Sequence, residues 1–320
     1  MQRSRLSLNA LEIFQHTARG GSIQGAAEAL GLSVSTVSHH LKRLEDSLGC
    51  ALLDHGRRPM VLTPAGEQFL RHVDEALSLL QRGEAAVASG QLAETASLRL
   101  GLIEDFDSQV APELAHTLAR TLPVCSFRHF TRPSHDILQL LKDRRIDMGV
   151  ATRPPGGSGG LVEFPLLRDP FVIALPRSAS ETAAAHLADR TDRPLLRYAQ
   201  TQIIGRLIEA QLRRLRVTLP NRFELESNQS LMGMVAEGQG WAITTPTSFA
   251  RAARFHDRIA LHPFPGKGFA RTLSLFAGEV HVAALVDLVH GQLSELLARH
   301  IITPVIDREP WLAEGFELLH

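Results

Sequence analysis

Apolar positions at the start of the chain recur at helical spacing. In LNALEIFQHTA, Leu8, Leu11, Ile13, Phe14 and Ala18 share a broad face, which Gly20 and Gly21 end. SIQGAAEAL opens on Ser22, a good N-cap, and carries Ile23, Ala26, Ala27 and Leu30 on one side. Gly31 breaks that run and Ser33 or Ser35 caps the next, where Val37, Leu41, Leu44 and Leu48 form an apolar seam. Residues 6–48 therefore predict three short helices. Two apolar runs then flank HGRRP, where Gly56 and Pro59 predict a turn in a small hairpin. From Pro64 to about Ala88 the helical period returns, with Phe69, Leu70, Val73, Leu77 and Leu80 in one stripe. A stripe with nothing obvious to cover it invites a partner helix, docking on its own chain being the alternative.

From Ser97 onward the pattern changes. LRLGLI, CSFRHF, DMGVAT, FVIAL, RFELE, WAITT and TLSLFA read as short strands. APELAHTLARTL, HDILQLLKDRR, IGRLIEAQLRRL and SLMGMVAEGQ read as helices between them. That alternation predicts α/β units on a mostly parallel sheet. RPPGGSGG is a loop, and DREPWLAEGFELLH predicts a short helix packed through Trp311 and Phe316.

Composition adds limits. With 320 residues, 44% hydrophobic and 21% charged, the chain is long enough for two or three domains with real cores. Basic and acidic residues balance at 34 each, so any nucleic-acid contact must come from local placement of charge. Cys50 and Cys125 are too few for a disulfide scaffold and fit a reducing compartment. Without a signal-peptide core or an apolar run of membrane length, a cytoplasmic location is expected.

Ser22 to Leu48 has the mechanics of a helix-turn-helix. Ala27 supplies the small residue where two helices cross, Gly31 the permissive turn, and Val37 the apolar residue that packs back. This leaves Ser35, Thr36, Ser38, His39 and Lys42 free to meet base edges and phosphates, together with the cap residues Ser22 and Ser33. Arg57 and Arg58 at the hairpin tip suit adjacent backbone or minor groove. A solvated face on a small helical domain is the alternative.

SIQGAAEALGLSVSTVSHHLKRLEDSLGCALLDHGRRPMVLTPAGEQFL resembles the winged-helix region of LysR-type transcriptional regulators. The likeness rests on AAEALGLS, on VS and LKRLEDSLG, and on the wing closed by LTPAGE. Departures fall at Val34 and Ser35, where the family often has glutamine and proline, and at Leu53 and His55, where it often has phenylalanine and arginine. The resemblance implies a winged helix-turn-helix over 1–63, a linker and dimerisation helix over 64–91, an effector-binding domain over 92–303 and a tail over 304–320. That domain would have two α/β lobes like a type 2 periplasmic binding protein, with crossovers near 169–176 and 271–277. Implied partners are double-stranded promoter DNA, a small-molecule effector, RNA polymerase and a second copy of the chain, as a homodimer or homotetramer through the 64–88 helix. No membrane partner and no cofactor are implied.

Clefts of this architecture bind ligands at strand ends and helix N-termini, where free N–H groups favour anions. Candidates from one lobe are Glu104, Asp105, Ser108, Arg132, Ser134, Thr152 and Arg153. The other lobe offers Tyr198, Thr201, Gln202, Ser227, Asn228 and Thr245. Counted from Asp147, Ser134 and Thr152 match positions that often touch effectors in the family. An organic acid or related polar metabolite is expected, with Arg132 or Arg153 on its carboxylate. Glu104 and Asp105 would repel an anion, which keeps an amino-bearing or aromatic ligand open.

Enzyme chemistry finds no support. Ser134, His135 and Asp136 are adjacent, so their side chains diverge where a catalytic triad must converge. His39 and His40 point about a hundred degrees apart on a helix, unlike metal pairs spaced three or four. No Cys/His set has zinc spacing. An enzyme or a transport-type binding protein on the same α/β fold is the rival reading.

Overall fold

The computed structural model describes residues 6–57, 59–88, 97–279 and 281–319. The chain forms two compact units that part between Ala96 and Ser97.

In the N-terminal unit, α1 (Leu8–Gly20), α2 (Ile23–Leu30) and α3 (Val34–Leu48) surround a core of Ile13, Phe14, Ala26, Ala27, Val37, Leu41 and Leu44. Each helix starts on a serine hydroxyl that accepts a backbone N–H, from Ser7, Ser22 and Ser33, and each ends on a left-handed glycine. Strands β1 (Leu53–Asp54) and β2 (Val61–Leu62) form the antiparallel wing, and α4 (Pro64–Ala88) follows. Thr63 closes the wing: its hydroxyl donates to Ala51 O at 2.8 Å and accepts from Gly66 N at 3.0 Å. A Cβ on Gly66 would stand 2.0 Å from Leu52 O, so only glycine permits this approach.

The apolar stripe of α4 is covered in part by its own chain, the alternative to a partner helix. Phe69 packs against Phe14, with ring centroids 5.6 Å apart, and Val73 and Leu77 are buried in the same core. As far as Leu77 the stripe is covered by its own chain, because α1 lies along it; Leu80 is 48% exposed.

The C-terminal unit begins with β3 (Ser97–Leu102), α5 (Val110–Thr121), β4 (Ser126–Thr131), α6 (Ser134–Lys142), β5 (Met148–Thr152) and β6 (Val162–Pro170). The chain then passes to a second lobe: β7 (Val172–Pro176), α7 (Ala183–Leu187), β8 (Leu196–Tyr198), α8 (Ile203–Arg214), β9 (Phe223–Leu225), α9 (Asn228–Ala236), β10 (Ala242–Thr244), α10 (Pro246–Arg251) and β11 (Ile259–Pro263). It returns through β12 (Ala270–Ala277), α11 (Ala283–Leu297), a π-helical turn, α12 (Thr303–Arg308) and β13 (Glu317–Leu318).

The first lobe holds a six-stranded sheet in the order β13-β6-β12-β5-β3-β4; the second holds β10-β7-β11 and the pair β8-β9. The large sheet is less parallel than the alternation suggests. β3 pairs parallel to β4 and β5, while β12 runs antiparallel to both β5 and β6, because it returns from the other lobe. The crossings lie between β6 and β7 at Phe171 and between β11 and β12 at residues 264–269. There Phe171 and Phe269 stack, centroids 4.1 Å apart and 7° from coplanar, and Phe171 N donates to Phe269 O.

The tail is part of the first lobe. Phe316 is buried as expected of a packing residue, and β13 pairs with β6. Trp311 is 38% exposed and donates to Glu309, so it does not anchor the tail. Among the described residues, no helix is long and apolar enough to cross a membrane.

Candidate functional site

Two surfaces carry chemistry, one in each unit. On α3, Val37, Leu41 and Leu44 face the core, which leaves Ser35, Ser38, His39 and Lys42 exposed. Ser33 Oγ accepts from Thr36 N at 3.1 Å and lies 2.7–2.8 Å from the hydroxyls of Thr36 and Ser35, forming a polar cluster at the helix start. Ser22 caps α2 through Gly25 N. Arg57 sits at the wing, bridged to Asp54 at 3.2 Å and largely exposed; Arg58 lies outside the described residues. His39 and His40 meet edge to face at 6.3 Å, and His40 is half-buried.

Sequence reasoning missed Glu45. One carboxylate oxygen accepts Leu52 N and Leu53 N at 2.7 and 3.1 Å, and the other lies 3.0 Å from His55 Nε2. Glu45 thereby ties α3 to the wing, so the two parts of this surface keep one geometry. Its partners lie seven to ten residues ahead, in and beside β1, and no local pattern marks them.

In the C-terminal unit a hollow of about 330 Å³ opens between the lobes. Of the predicted residues, Glu104, Asp105, Arg132, Ser134, Thr152, Tyr198, Gln202, Ser227 and Asn228 line it. Four do not. Arg153 turns to Glu163 at 2.6 Å; Ser108 and Thr201 face solvent; Thr245 is buried beneath the floor. Ile103, Pro133, Ile203 and Ile204 add apolar lining that the sequence reading did not propose, and Glu226, Ser248 and Arg271 add polar groups.

Helix starts shape the hollow. α6 begins at Ser134, whose Oγ accepts Thr152 N at 3.0 Å and fixes the helix to β5. α8 starts after Gln202, which donates to Glu226 O at 2.8 Å, and α9 starts after Ser227, which caps it through Ser230 N. Three helix N-termini therefore border one space, an arrangement that favours negative charge, although at α9 Glu104 and the Ser227 cap already take Asn228 N and Ser230 N.

A buried charge cluster forms the floor. Arg271 Nε donates to Asp169 at 2.8 Å, and its Nη2 donates to Asp105 at 2.8 Å and to Thr245 at 3.0 Å. Asp169 also accepts Thr247 N. Burial raises the Asp169 carboxyl above its ordinary value, against the pull of Arg271. The two carboxylates hold Arg271 firmly protonated despite its own burial. Arg271 and Asp169 are register partners on β12 and β6, a juxtaposition that only the sheet topology creates. Beside them Tyr198 OH donates to Asn228 Oδ1 at 2.7 Å and meets Thr244 at 2.8 Å; burial pushes this phenol up, so it stays protonated. Asn228 Nδ2 donates to Ser248 O, which completes a rigid wall.

Glu104 stands apart. Its carboxylate accepts Asn228 N at a long 3.4 Å, and burial together with Asp105 raises its pKa. Arg251, which donates to the Glu104 backbone carbonyl, is engaged by both oxygens of Asp107, at 3.2 and 2.9 Å.

Ser134 is engaged by Thr152 while His135 lies 3.4 Å from Asp136. Among the described residues no group of three or more His, Cys, Asp or Glu side chains could hold a metal.

Comparison with known proteins connects the two surfaces. Residues 92–294 match the profile of the "LysR substrate binding domain", and residues 8–67 match that of "Bacterial regulatory helix-turn-helix protein, lysR family". A "Probable hydrogen peroxide-inducible genes activator" from Mycobacterium xenopi is 34% identical over 170 residues, 53% of this chain and 89% of that protein. A "Probable nitrogen assimilation transcriptional activator" from Synechococcus elongatus is 26% identical over 278 residues, 86% of this chain and 89% of that one. Among solved structures, full-length OxyR from Pseudomonas aeruginosa gives a TM-score of 0.69 at 21% identity, covering 90% of this chain and 95% of that one. CbnR complexed with its target DNA gives 0.58 at 17% identity, covering 92% and 100%. At those identities the structural likeness establishes the fold.

Proposed function

Because the chain belongs to the LysR family of DNA-binding transcriptional regulators, and carries that family's effector-binding domain rather than an enzyme's active site, we propose that the cleft of its C-terminal unit takes a small organic acid or related polar metabolite. The observation that carries this reading is the meeting of the α6, α8 and α9 N-termini on one hollow of about 330 Å³, with Arg132 at its edge. The volume suits a small metabolite, since ligand pockets start at about 300 Å³. Asp105 does not oppose an anion as strongly as its charge suggests, because Arg271 engages it.

On the other unit, Ser35, Thr36, Ser38, His39 and Lys42 would enter a major groove, with Arg57 and Arg58 on the flanking backbone. CbnR has been solved in complex with its target DNA, which supports the same use of this fold here. Pairing of two copies through α4 would present two winged helices to a partly palindromic site; Leu80 and the helix length support that role. Effector binding would shift the balance between assemblies that bend DNA differently, and RNA polymerase would read the result.

Calorimetry with a panel of carboxylic acids and their amides tests the cleft, on wild type and Ser134→Ala. Acids are expected to bind and amides to fail; equal binding of both sinks the anion reading, and equal affinity in both proteins removes Ser134 from the site. For DNA, a salt-dependent mobility shift of duplex by the full chain is expected. No shift at low salt would sink the proposed surface.

A further inference from the structure

The cleft is built for an anion by its backbone and against one by its side chains. Three helix N-termini border it, yet Glu104 and Asp105 line it and Asp169 lies behind Arg271. The guanidiniums among them are already engaged. Arg271 bridges Asp169 and Asp105, and Arg251 grips Asp107 with two hydrogen bonds. Arg132 lies at the edge, donating to Thr131 O. Glu226 also borders the hollow, its backbone oxygen taken by Gln202.

Glu104 is the group this leaves over. Among the described residues its carboxylate makes no direct ion pair, and its hydrogen bond to Asn228 N, at 3.4 Å, is at the weak end of the range. It is half-buried, faces the hollow, and has its carboxyl raised by that burial and by Asp105. The Arg251 guanidinium, held by Asp107, attracts this half-buried carboxylate without a direct contact to it, so a ligand cation that did contact it would stabilise it further. A ligand bearing only a carboxylate would destabilise it. Ile103, Ile203, Ile204 and Pro133 offer a hydrocarbon body a place between the two poles.

We propose that the effector is an amino-bearing acid, its ammonium on Glu104 and its carboxylate at the N-termini of α6 and α8. This rests on the reading of the cleft as a carboxylate site and adds the second charge. Glu104 then acts as the specificity determinant that separates amino acids from their des-amino analogues.

The test uses the full chain and matched ligands differing by one group, followed by thermal shift and calorimetry. The panel comprises the protein amino acids with 4-aminobutyrate, their des-amino acids, and their decarboxylated amines. At least one amino acid is expected to bind ten-fold or more tightly than both of its analogues. In Glu104→Gln that preference for the amino group should collapse, the des-amino acid binding as well as or better than its amino partner. Des-amino acids binding wild type equally well overturn the inference and leave the carboxylate site standing. Amines binding as well as amino acids overturn the carboxylate site itself. No binding anywhere in the panel at millimolar concentration overturns both. Should Glu104→Gln fail to fold, the wild-type comparison decides alone.

Discussion

Replacing Arg271 by glutamine removes the counter-charge of a fully buried carboxylate. Asp169 is 0% exposed and Arg271 only 5%, so neither gains water when its partner goes. Breaking such a pair from one side costs about 3–5 kcal/mol, because the remaining charge is buried and uncompensated. For a unit of this size about 2–4 °C of melting temperature accompanies each kcal/mol, which gives a fall of roughly 6–20 °C. Thermal and urea unfolding followed by fluorescence report it, since Trp241 is buried in the second lobe. The pH dependence gives a second check. Burial already raises Asp169 and Arg271 opposes that rise, so its removal raises the carboxyl further. A carboxyl raised in the folded state binds more protons folded than unfolded. The variant therefore loses stability as pH climbs from about 4 through the raised value, and its deficit narrows toward pH 4. Asp169→Asn in the same chain should recover part of the loss, since the uncompensated charge is gone. A deficit below about 1 kcal/mol, or one that is additive with Asp169→Asn and flat with pH, refutes the argument.

Other outcomes follow from single contacts. His39→Ala should weaken binding to a selected duplex by about 1–3 kcal/mol in mobility-shift titrations and leave effector calorimetry unchanged; unchanged DNA affinity would remove His39 from the reading face. Gly66→Ala places a Cβ 2.0 Å from Leu52 O, so the wing must move, and the N-terminal unit should lose at least about 1–3 kcal/mol. A melting curve that matches wild type would show that the wing yields freely. The Cys125 thiol, pushed up to about 11 by burial, should alkylate slowly at neutral pH, with a rate rising about tenfold per pH unit. A rate plateau near pH 8 in mass-spectrometric labelling would contradict that.

Legibility in the sequence tracks distance along the chain. The crossing of α2 and α3 could be read because Ala27, Gly31 and Val37 lie within one short segment, and each has a steric duty there. The helix starts around the hollow were visible for the same reason, as serine and glutamine beside apolar runs. Arg271 was not, because its meaning comes from Asp169, 102 residues away and opposite it only through the register of β12 on β6. A lone arginine at the head of TLSLFA was the available signal. Glu45 was hidden because its partners are backbone N–H groups of the wing. Arg153 looked free for a ligand until β6 brought Glu163 beside it. The α4 stripe showed that something must cover it, but periodicity does not name the cover, and α1 supplies it as far as Leu77.

The family profile stops at residue 294, but the hydrophobic interior does not. Leu296, Leu297, Ile301, Val305, Leu312 and Phe316 are all buried, and Arg168 Nη1 donates to Gly315 O at 2.6 Å to hold the last turn down. β13 then seals the edge of β6, the strand that leads directly to the crossing. A chain trimmed at the profile boundary would lose this seal. It would bare a strand edge of the kind that recruits other chains into aggregates. For this protein, the folded core runs past the end of the recognisable family pattern.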